Sequence, residues 1–277
     1  MRSLKGKTVV ITGASRGIGE AIALRLAAEG ANLVLAAKTV DDSAQKLKGT
    51  IHDVAEAVEA AGGKALALQV DVRDDAQVQD MLERAVARFG GIDAMINNAG
   101  AILLQPVEVM PLKRFDLLWQ VNVRACYAAA HYCARYLRER GDEPTHIINM
   151  SPPISLKPHW IGGQTGYTIT KFGMTLLAMG LAEELSDTNI IPCALWPRTG
   201  IATAAIEWIG GEDLMKQCRK PSIMADAVFE LLSNPKREHA GKAMLDEEIL
   251  RAAGVTDFDP YAVDPTQSLM TDFYVES

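Results

Sequence analysis

Strand-length apolar runs alternate with longer segments of helical period along most of this 277-residue chain. The runs are KTVVIT, NLVLAA, KALALQV, IDAMIN, HIINM, IIPCALW and a short last one near AMLD. Between them lie GIGEAIALRLAAEG, a stretch over about 41–61 with a break near Gly49, DAQVQDMLERAVARFG, a long stretch from about Leu112 to Glu139, a segment from about Tyr167 to Leu185, and further helical sequence after Trp196. Continuous apolar runs, rather than strictly alternating ones, read as strands covered on both faces. Parallel strands joined by right-handed helical crossovers satisfy that requirement. The expected fold is α/β, a doubly wound and mostly parallel sheet in a single domain.

The first strand runs directly into TGASRGIG, Thr12 to Gly19, which opens the first helix. Gly13 permits a tight turn, and Gly17 and Gly19 permit close approach of backbone and ligand. Unpaired N–H groups and the positive end of the helix dipole favour a pyrophosphate there. Gly13, Ala14, Ser15, Arg16, Gly17, Ile18 and Gly19 are thus the candidate phosphate cradle of a Rossmann-type dinucleotide site. An NAD site places Asp or Glu at the end of the second strand to bond the ribose 2′-hydroxyl. Here that strand ends Ala36-Ala37-Lys38, and the acidic pair Asp41-Asp42 falls later, where it reads as the start of the next helix. Lys38 and Arg16 can hold a 2′-phosphate, so NADP is the expected cofactor and NAD the less favoured one.

In YTITK, Tyr167 and Lys171 stand four apart and project from one helix face. A free phenol, with pKa near 10, is a poor base at neutral pH. A nearby ammonium favours the phenolate and brings it into range for proton transfer. This pair follows the fifth strand, at the sheet end that carries the glycine-rich turn.

The totals narrow the function further. A net charge of −7 argues against nucleic acid and against an anionic membrane surface. No apolar run approaches the ~20 residues that span a bilayer, and the N-terminal apolar stretch is too short for a secretory signal. Cys126, Cys133, Cys193 and Cys218 form no CxxC pair and lie in apolar segments, as expected of buried thiols in a reducing cytoplasm. No His/Cys/Asp cluster has metal-ligand spacing, so no metal is expected.

Taken together and in order, TGASRGIG, the Asp71-Val72 pair, NNAG at 97–100, Asn122 in WQVNVR, and YTITK resemble the short-chain dehydrogenases/reductases over about residues 5 to 250. The resemblance implies that Asp71 and Val72 flank the adenine and that Asn98 lies beside the adenosine ribose. It also implies that Asn122 supports a proton relay to Lys171, and that Lys171 bonds the nicotinamide ribose. Residues 1–250 are then the dinucleotide-binding and catalytic body, and 251–277 an acidic C-terminal extension of the same domain. The helices holding ACYAAAHYCA and GMTLLAMGLA resemble the family's pairing helices, which implies a homodimer or homotetramer.

Two departures from the family pattern stand out. Pro197-Arg198 replaces the usual Pro-Gly after the sixth strand. The catalytic serine usual in the family, which donates to the substrate oxygen, has no clear counterpart. Counting back from Tyr167 reaches Ile154, and counting forward along NMSPPIS reaches Pro152. Ser155, beyond a lengthened loop, is the first candidate, Ser151 the second, and no serine at all the third. An apolar lid is expected from Ile201, Ile206, Trp208 and Ile209, with His159 and Trp160 shaping the same pocket. The expected function is an NADP-dependent oxidoreductase interconverting an apolar secondary alcohol and ketone, steroid- or lipid-like, with Tyr167 as general acid/base. The alternative is a cofactor-binding sensor or scaffold with little or no redox turnover, a reading motivated by the paired prolines.

Overall fold

The strands form in the apolar runs because every residue of β1 (Thr8–Thr12), β2 (Asn32–Ala37), β4 (Ala94–Asn97), β5 (Thr145–Met150) and β6 (Ile190–Trp196) is buried. With β3 (Lys64–Gln69) and β7 (Ala243–Leu245) they make a seven-stranded sheet in the order β3-β2-β1-β4-β5-β6-β7. Every pairing in it is parallel. This computed structural model describes residues 3–38, 40 and 49–276.

Helices α1 (Gly17–Ala27), α2 (Ile51–Ala60), α3 (Asp75–Phe89), α4 (Leu112–Trp119), α5 (Ala125–Arg138), α6 (Pro158–Ile161), α7 (Thr165–Glu184), α8 (Ala204–Lys216), α9 (Ser222–Ser233) and α10 (Asp246–Ala252) connect or follow the strands. One core layer joins α1, α2 and α9 to the sheet through Ile22, Leu26, Val54, Val228 and Leu231. The opposite layer joins α3 and α5 through Met81, Leu82, Cys133 and Leu137. The expected doubly wound, single-domain α/β architecture is therefore what the chain adopts. Of the helical stretch expected over about 41–61, residues 51–60 are helical, and Thr50 and Asp53 close a reciprocal capping box at its start. Asp41 and Asp42, expected at the start of that helix, lie outside the described residues.

Two features of this layout position the site. Strand order reverses between β1 and β4, and in open α/β sheets the crevice beyond the strands' carboxyl ends at such a reversal takes ligands. The glycine-rich turn leaves β1 there, Asn98 follows β4, Ser151 follows β5 and Pro197 follows β6. The second feature is the C-terminal extension. It folds back across the sheet end rather than projecting as an arm: Gly200 N–H donates to the Met270 carbonyl and Asp272 N–H to the Arg198 carbonyl, at 2.9 and 3.0 Å. Its terminal residues join a third apolar cluster with Leu118, Tyr167, Trp196 and Leu245.

Candidate active site

At the end of β1, Gly13 takes φ 66° and an added Cβ there would sit 2.9 Å from the Ala99 Cα. A Cβ on Gly19 would lie 2.4 Å from the Gly13 carbonyl oxygen, so these two glycines let the turn pack on its neighbours. Gly17 begins α1, and the first N–H groups of that helix have no carbonyl in a preceding turn to bond. No side chain caps this end. Asn98 braces the turn, its amide donating to the carbonyls of Thr12 and Gly13, each at 3.0 Å. An uncapped helix start behind a braced glycine turn fits a pyrophosphate.

At the ends of β2 and β3 a further cation joins Lys38. Lys38, largely exposed, pairs with Asp71 at 3.3 Å, and Arg73 pairs with the same carboxylate. The Arg73 guanidinium, then the Lys38 ammonium, holds the Asp71 carboxyl well below the usual carboxylate range, although burial opposes them. Arg73 follows Asp71-Val72 directly in the chain, and that position is the signal that points to it. Val72 is buried in the apolar layer with α3. Arg16 donates to the Gly49 carbonyl at 3.0 Å.

Tyr167 and Lys171 do share one face of α7 and line one cleft with Asn98, Met150, Trp196 and Pro197. Both are buried. Lys171 donates to the Met150 carbonyl oxygen at 2.9 Å, and its ammonium stands 5.3 Å from the Trp196 ring. Burial pulls the Lys171 pKa down to about 8. Burial, with Tyr274 and Asp272 adding to it, pushes the Tyr167 phenol well above its ordinary value. The phenol is thus held in its neutral form, the opposite of the lowering expected from the Lys171 ammonium, because burial outweighs it.

Asn122 sits in a π-helical turn, Gln120–Arg124, between α4 and α5. Its side chain is fully buried and committed: Oδ1 accepts from Ala101 N–H at 2.8 Å, and Nδ2 donates to the Ala101 carbonyl and Thr170 Oγ1, each at 3.0 Å. Gly100 lies between Asn122 and Lys171, since a Cβ there would stand 3.6 Å from Asn122 Oδ1 and 3.7 Å from Lys171 Nζ. Asn122 therefore fixes the NNAG loop beside the lysine.

The serine candidates fall elsewhere. Ser151 is fully buried, and its hydroxyl lies 2.9 Å from Thr175 Oγ1. Ser155, the first candidate, lines a separate groove with Lys157, Arg198, Tyr274 and Glu276, and its Oγ accepts from Lys157 N–H. The loop lengthened beyond the two prolines runs outward along the C-terminal extension instead of turning into the cleft. His159 and Trp160 do not line the cleft either; Trp160 packs on Tyr274, ring centroids 6.0 Å apart, and donates to Glu276. Of the lid candidates, Ile201 and Ile206 line the cleft, while Trp208 and Ile209 are exposed.

Three other residues, far from the motifs in sequence, enter the cleft. Thr203 faces Gly17, whose added Cβ would lie 3.4 Å from Thr203 Cγ2. Asp272 and Phe273, from the C-terminal extension, complete the wall beside Tyr167. Arg198 anchors that extension through its carbonyl, while its own N–H donates to Asp246 at 2.9 Å. What the departure from Pro-Gly adds is the Arg198 side chain, which pairs with Glu247 and Glu248 of α10.

A family model described as short chain dehydrogenase matches residues 7–206. The chain belongs to the short-chain dehydrogenase family. Hydroxysteroid dehydrogenase-like protein 2 of Danio rerio is 47% identical over 273 residues, which is 99% of this chain and 65% of the relative. The Homo sapiens protein of that name is 46% identical over 273 residues, 99% of this chain and 64% of the relative. This short-chain dehydrogenase thus spans just under two thirds the length of those relatives. A putative dehydrogenase from Xanthomonas campestris superimposes with a TM-score of 0.94 at 47% identity, covering 99% of this chain and all of that one. A blue fluorescent protein from a metagenomic library, solved in complex with NADPH, superimposes at 0.74 with 28% identity over 88% of this chain and 97% of its own.

Among the described residues no group of three or more His, Cys, Asp or Glu is placed to hold a metal ion, and no helix is long and apolar enough to cross a membrane. The four cysteines are free and buried, and burial raises their thiol pKa values to about 11 or 12.

Proposed function

We propose that this chain is an NADP-dependent oxidoreductase that interconverts an apolar secondary alcohol and the matching ketone, with a steroid- or lipid-like substrate. The observation that carries the reading is the shared cleft: Tyr167 and Lys171 open into a pocket walled by Ile102, Trp196, Ile201, Ile206 and Phe273, at the same strand ends as the glycine turn. Bound nicotinamide supplies or accepts the hydride. The chain's residues bind, orient and move the proton.

The uncapped start of α1 and the Gly13–Gly19 turn hold the pyrophosphate, with Ala14, Ser15 and Ile18 shaping the cradle. Lys38, Arg73 and Arg16 favour the 2′-phosphate form: Lys38 and Arg73 gather on the Asp71 carboxylate at the ends of β2 and β3, and Arg16 adds a cation from the glycine turn. Asp71 and Val72 stand at the adenine, Asn98 beside its ribose, and Lys171 bonds the nicotinamide ribose. The apolar walls exclude water and select an apolar substrate by burial of its surface.

Tyr167 gives its proton to the substrate oxygen in reduction and takes it back in oxidation. Its raised pKa keeps the proton on the phenol, and weakens it as an acid until charge develops on the substrate oxygen. Lys171 is the charge that makes the phenolate tolerable once the proton has left. Asn122 fixes the NNAG loop beside Lys171 through Ala101 and so supports the relay to Lys171. The partner on the outside is a second copy of this chain, in a homodimer or homotetramer. Incubation with NADPH and a panel of aliphatic, alicyclic and steroid ketones tests the reading: NADPH consumption matched by alcohol formation is expected, and NADPH binding with no turnover on any ketone would contradict it and favour the non-catalytic alternative.

A further inference from the structure

Among the described residues no serine or threonine hydroxyl of the cleft is placed beside Tyr167, and a carboxyl group lines it instead. Pro152 and Pro153 have neither hydroxyl nor N–H to offer. Ser151 Oγ is buried against Thr175, and Ser155 faces another groove. The other polar side chains lining the cleft have their own tasks. Asn98 braces the glycine turn, Trp196 Nε1 donates to the Phe273 carbonyl at 3.0 Å, and Thr203 stands by Gly17 at the phosphate end. Asp272 remains.

Asp272 is held in place from several directions. Its N–H donates to the Arg198 carbonyl, Thr271 bridges Thr199, and one of its carboxyl oxygens accepts from Phe273 N–H at 2.6 Å. Beyond it, the buried Tyr274 takes φ 67°, the one non-glycine residue at positive φ among the described residues. Such backbone strain persists only where the surrounding packing over-determines it. The Tyr274 hydroxyl meets Thr168 Oγ1 at 3.0 Å on α7, the helix that carries Tyr167 and Lys171. The extension is therefore pinned on both sides of Asp272. No other donor among the described residues bonds the second carboxyl oxygen.

We propose that Asp272, as a neutral carboxylic acid, is a catalytic residue that donates a hydrogen bond to the substrate oxygen alongside Tyr167, in the role the missing serine hydroxyl would fill. This rests on the oxidoreductase reading above. As hydride from the reduced nicotinamide adds to the carbonyl carbon, the C=O π pair collects on oxygen. The Tyr167 O–H bond breaks and its proton goes to that oxygen. The Asp272 O–H bond stays intact and stabilises the developing charge. The groups that bear on the carboxyl are Tyr167 and Lys171 from α7, Asp246 from α10, Cys218 after α8, and the neighbouring Tyr274. Burial first, with Asp246 adding to it, raises its pKa to about 7 against the lowering effects of Phe273 N–H and Lys171. A pKa near neutrality leaves a substantial protonated fraction at working pH, and that form is the donor.

The test compares Asp272→Ala and Asp272→Asn with the unmutated protein, alongside Tyr167→Phe. Asparagine keeps the acceptor for Phe273 N–H and an N–H donor for the substrate, so it guards against a variant that merely fails to fold. Loss of one such donor costs about 10²–10³ in kcat, and that loss is expected for Asp272→Ala. Asp272→Asn should retain kcat within about tenfold of the unmutated protein by the same reasoning, and should lose the fall in reduction rate as pH rises through the Asp272 pKa. A readout independent of turnover is the 13C titration of the Asp272 carboxyl in cofactor-free protein, expected well above the ordinary aspartate range. Normal turnover by Asp272→Ala with Tyr167→Phe inactive overturns this proposal alone, as does a carboxyl titrating in the ordinary range, or Asp272→Asn as slow as Asp272→Ala. Absence of turnover by the unmutated protein overturns the oxidoreductase reading and this proposal with it.

Discussion

Ser151 Oγ lies 2.9 Å from Thr175 Oγ1, and the Thr175 hydroxyl also reaches the Pro152 carbonyl at 2.7 Å. Thr175 is the donor, its one hydroxyl proton shared between Ser151 Oγ and the Pro152 carbonyl. Ser151 is thus a fastener between the end of β5 and α7. Ser151→Ala is expected to lower stability by about 1 kcal/mol, the net worth of one buried hydrogen bond, readable as a reduced denaturation midpoint. Ser155→Ala, in its separate groove, is expected to leave kcat unchanged. A tenfold fall in kcat for Ser155→Ala would return that residue to the site.

Cofactor preference should be set at the ends of β2 and β3. Lys38→Asp and Arg73→Ala are each expected to weaken NADPH binding by at least about tenfold, as loss of a charge-assisted hydrogen bond would, with little change for NADH. Fluorescence titration of both nucleotides checks this. Equal affinity of the unmutated protein for the two would defeat the NADP reading.

Stability should respond to pH through Asp272. Its carboxyl pKa is about 7 in the folded chain against an ordinary 3.8. Between those values the folded state binds the proton more tightly, so the group's contribution worsens as pH rises from about 4 to 7 and the deficit is complete above 7. Asp272→Asn should therefore melt higher than the unmutated protein at pH 8 and show little advantage at pH 4. An equal offset at both pH values would mean that the carboxyl is not perturbed.

Self-association should use the outer faces of α5 and α7. Tyr127, Ile169, Leu176 and Met179 are exposed there, although most of the alanines of α5 pack inward. Exposed apolar clusters of this kind mark interaction surfaces. Light scattering is expected to report a dimer or tetramer at micromolar concentration, and Leu176→Glu to shift it toward the 30.0 kDa chain.

The strands and the order of motifs were legible because each is local: NLVLAA and IIPCALW coincide with β2 and β6, and YTITK places Tyr167 and Lys171 by helix geometry alone. Asp272 was not legible. Its place depends on an extension that returns about a hundred residues after YTITK, and that tail reads along the sequence only as acidic and aromatic. Ser155 misled for the same reason. Counting along a loop assumes that it turns into the cleft, whereas Tyr274 lines the groove beside Ser155 and packs on Trp196. Arg73 hid in plain view, since a cation next to an aspartate reads as an ordinary surface pair until Lys38 is seen on the same carboxylate.

The most direct measurement is the kcat of Tyr167→Phe for NADPH-dependent ketone reduction, with NADPH affinity measured on the same sample. Phenylalanine keeps the ring that packs with Trp196 and Leu245 and removes only the hydroxyl. Loss of a group that delivers the proton should cost at least about 10²-fold, while NADPH affinity stays within a few fold. Lys171→Ala, in contrast, should weaken both. A Tyr167→Phe protein that keeps most of its kcat would contradict the assignment of Tyr167 as the acid and base of this site.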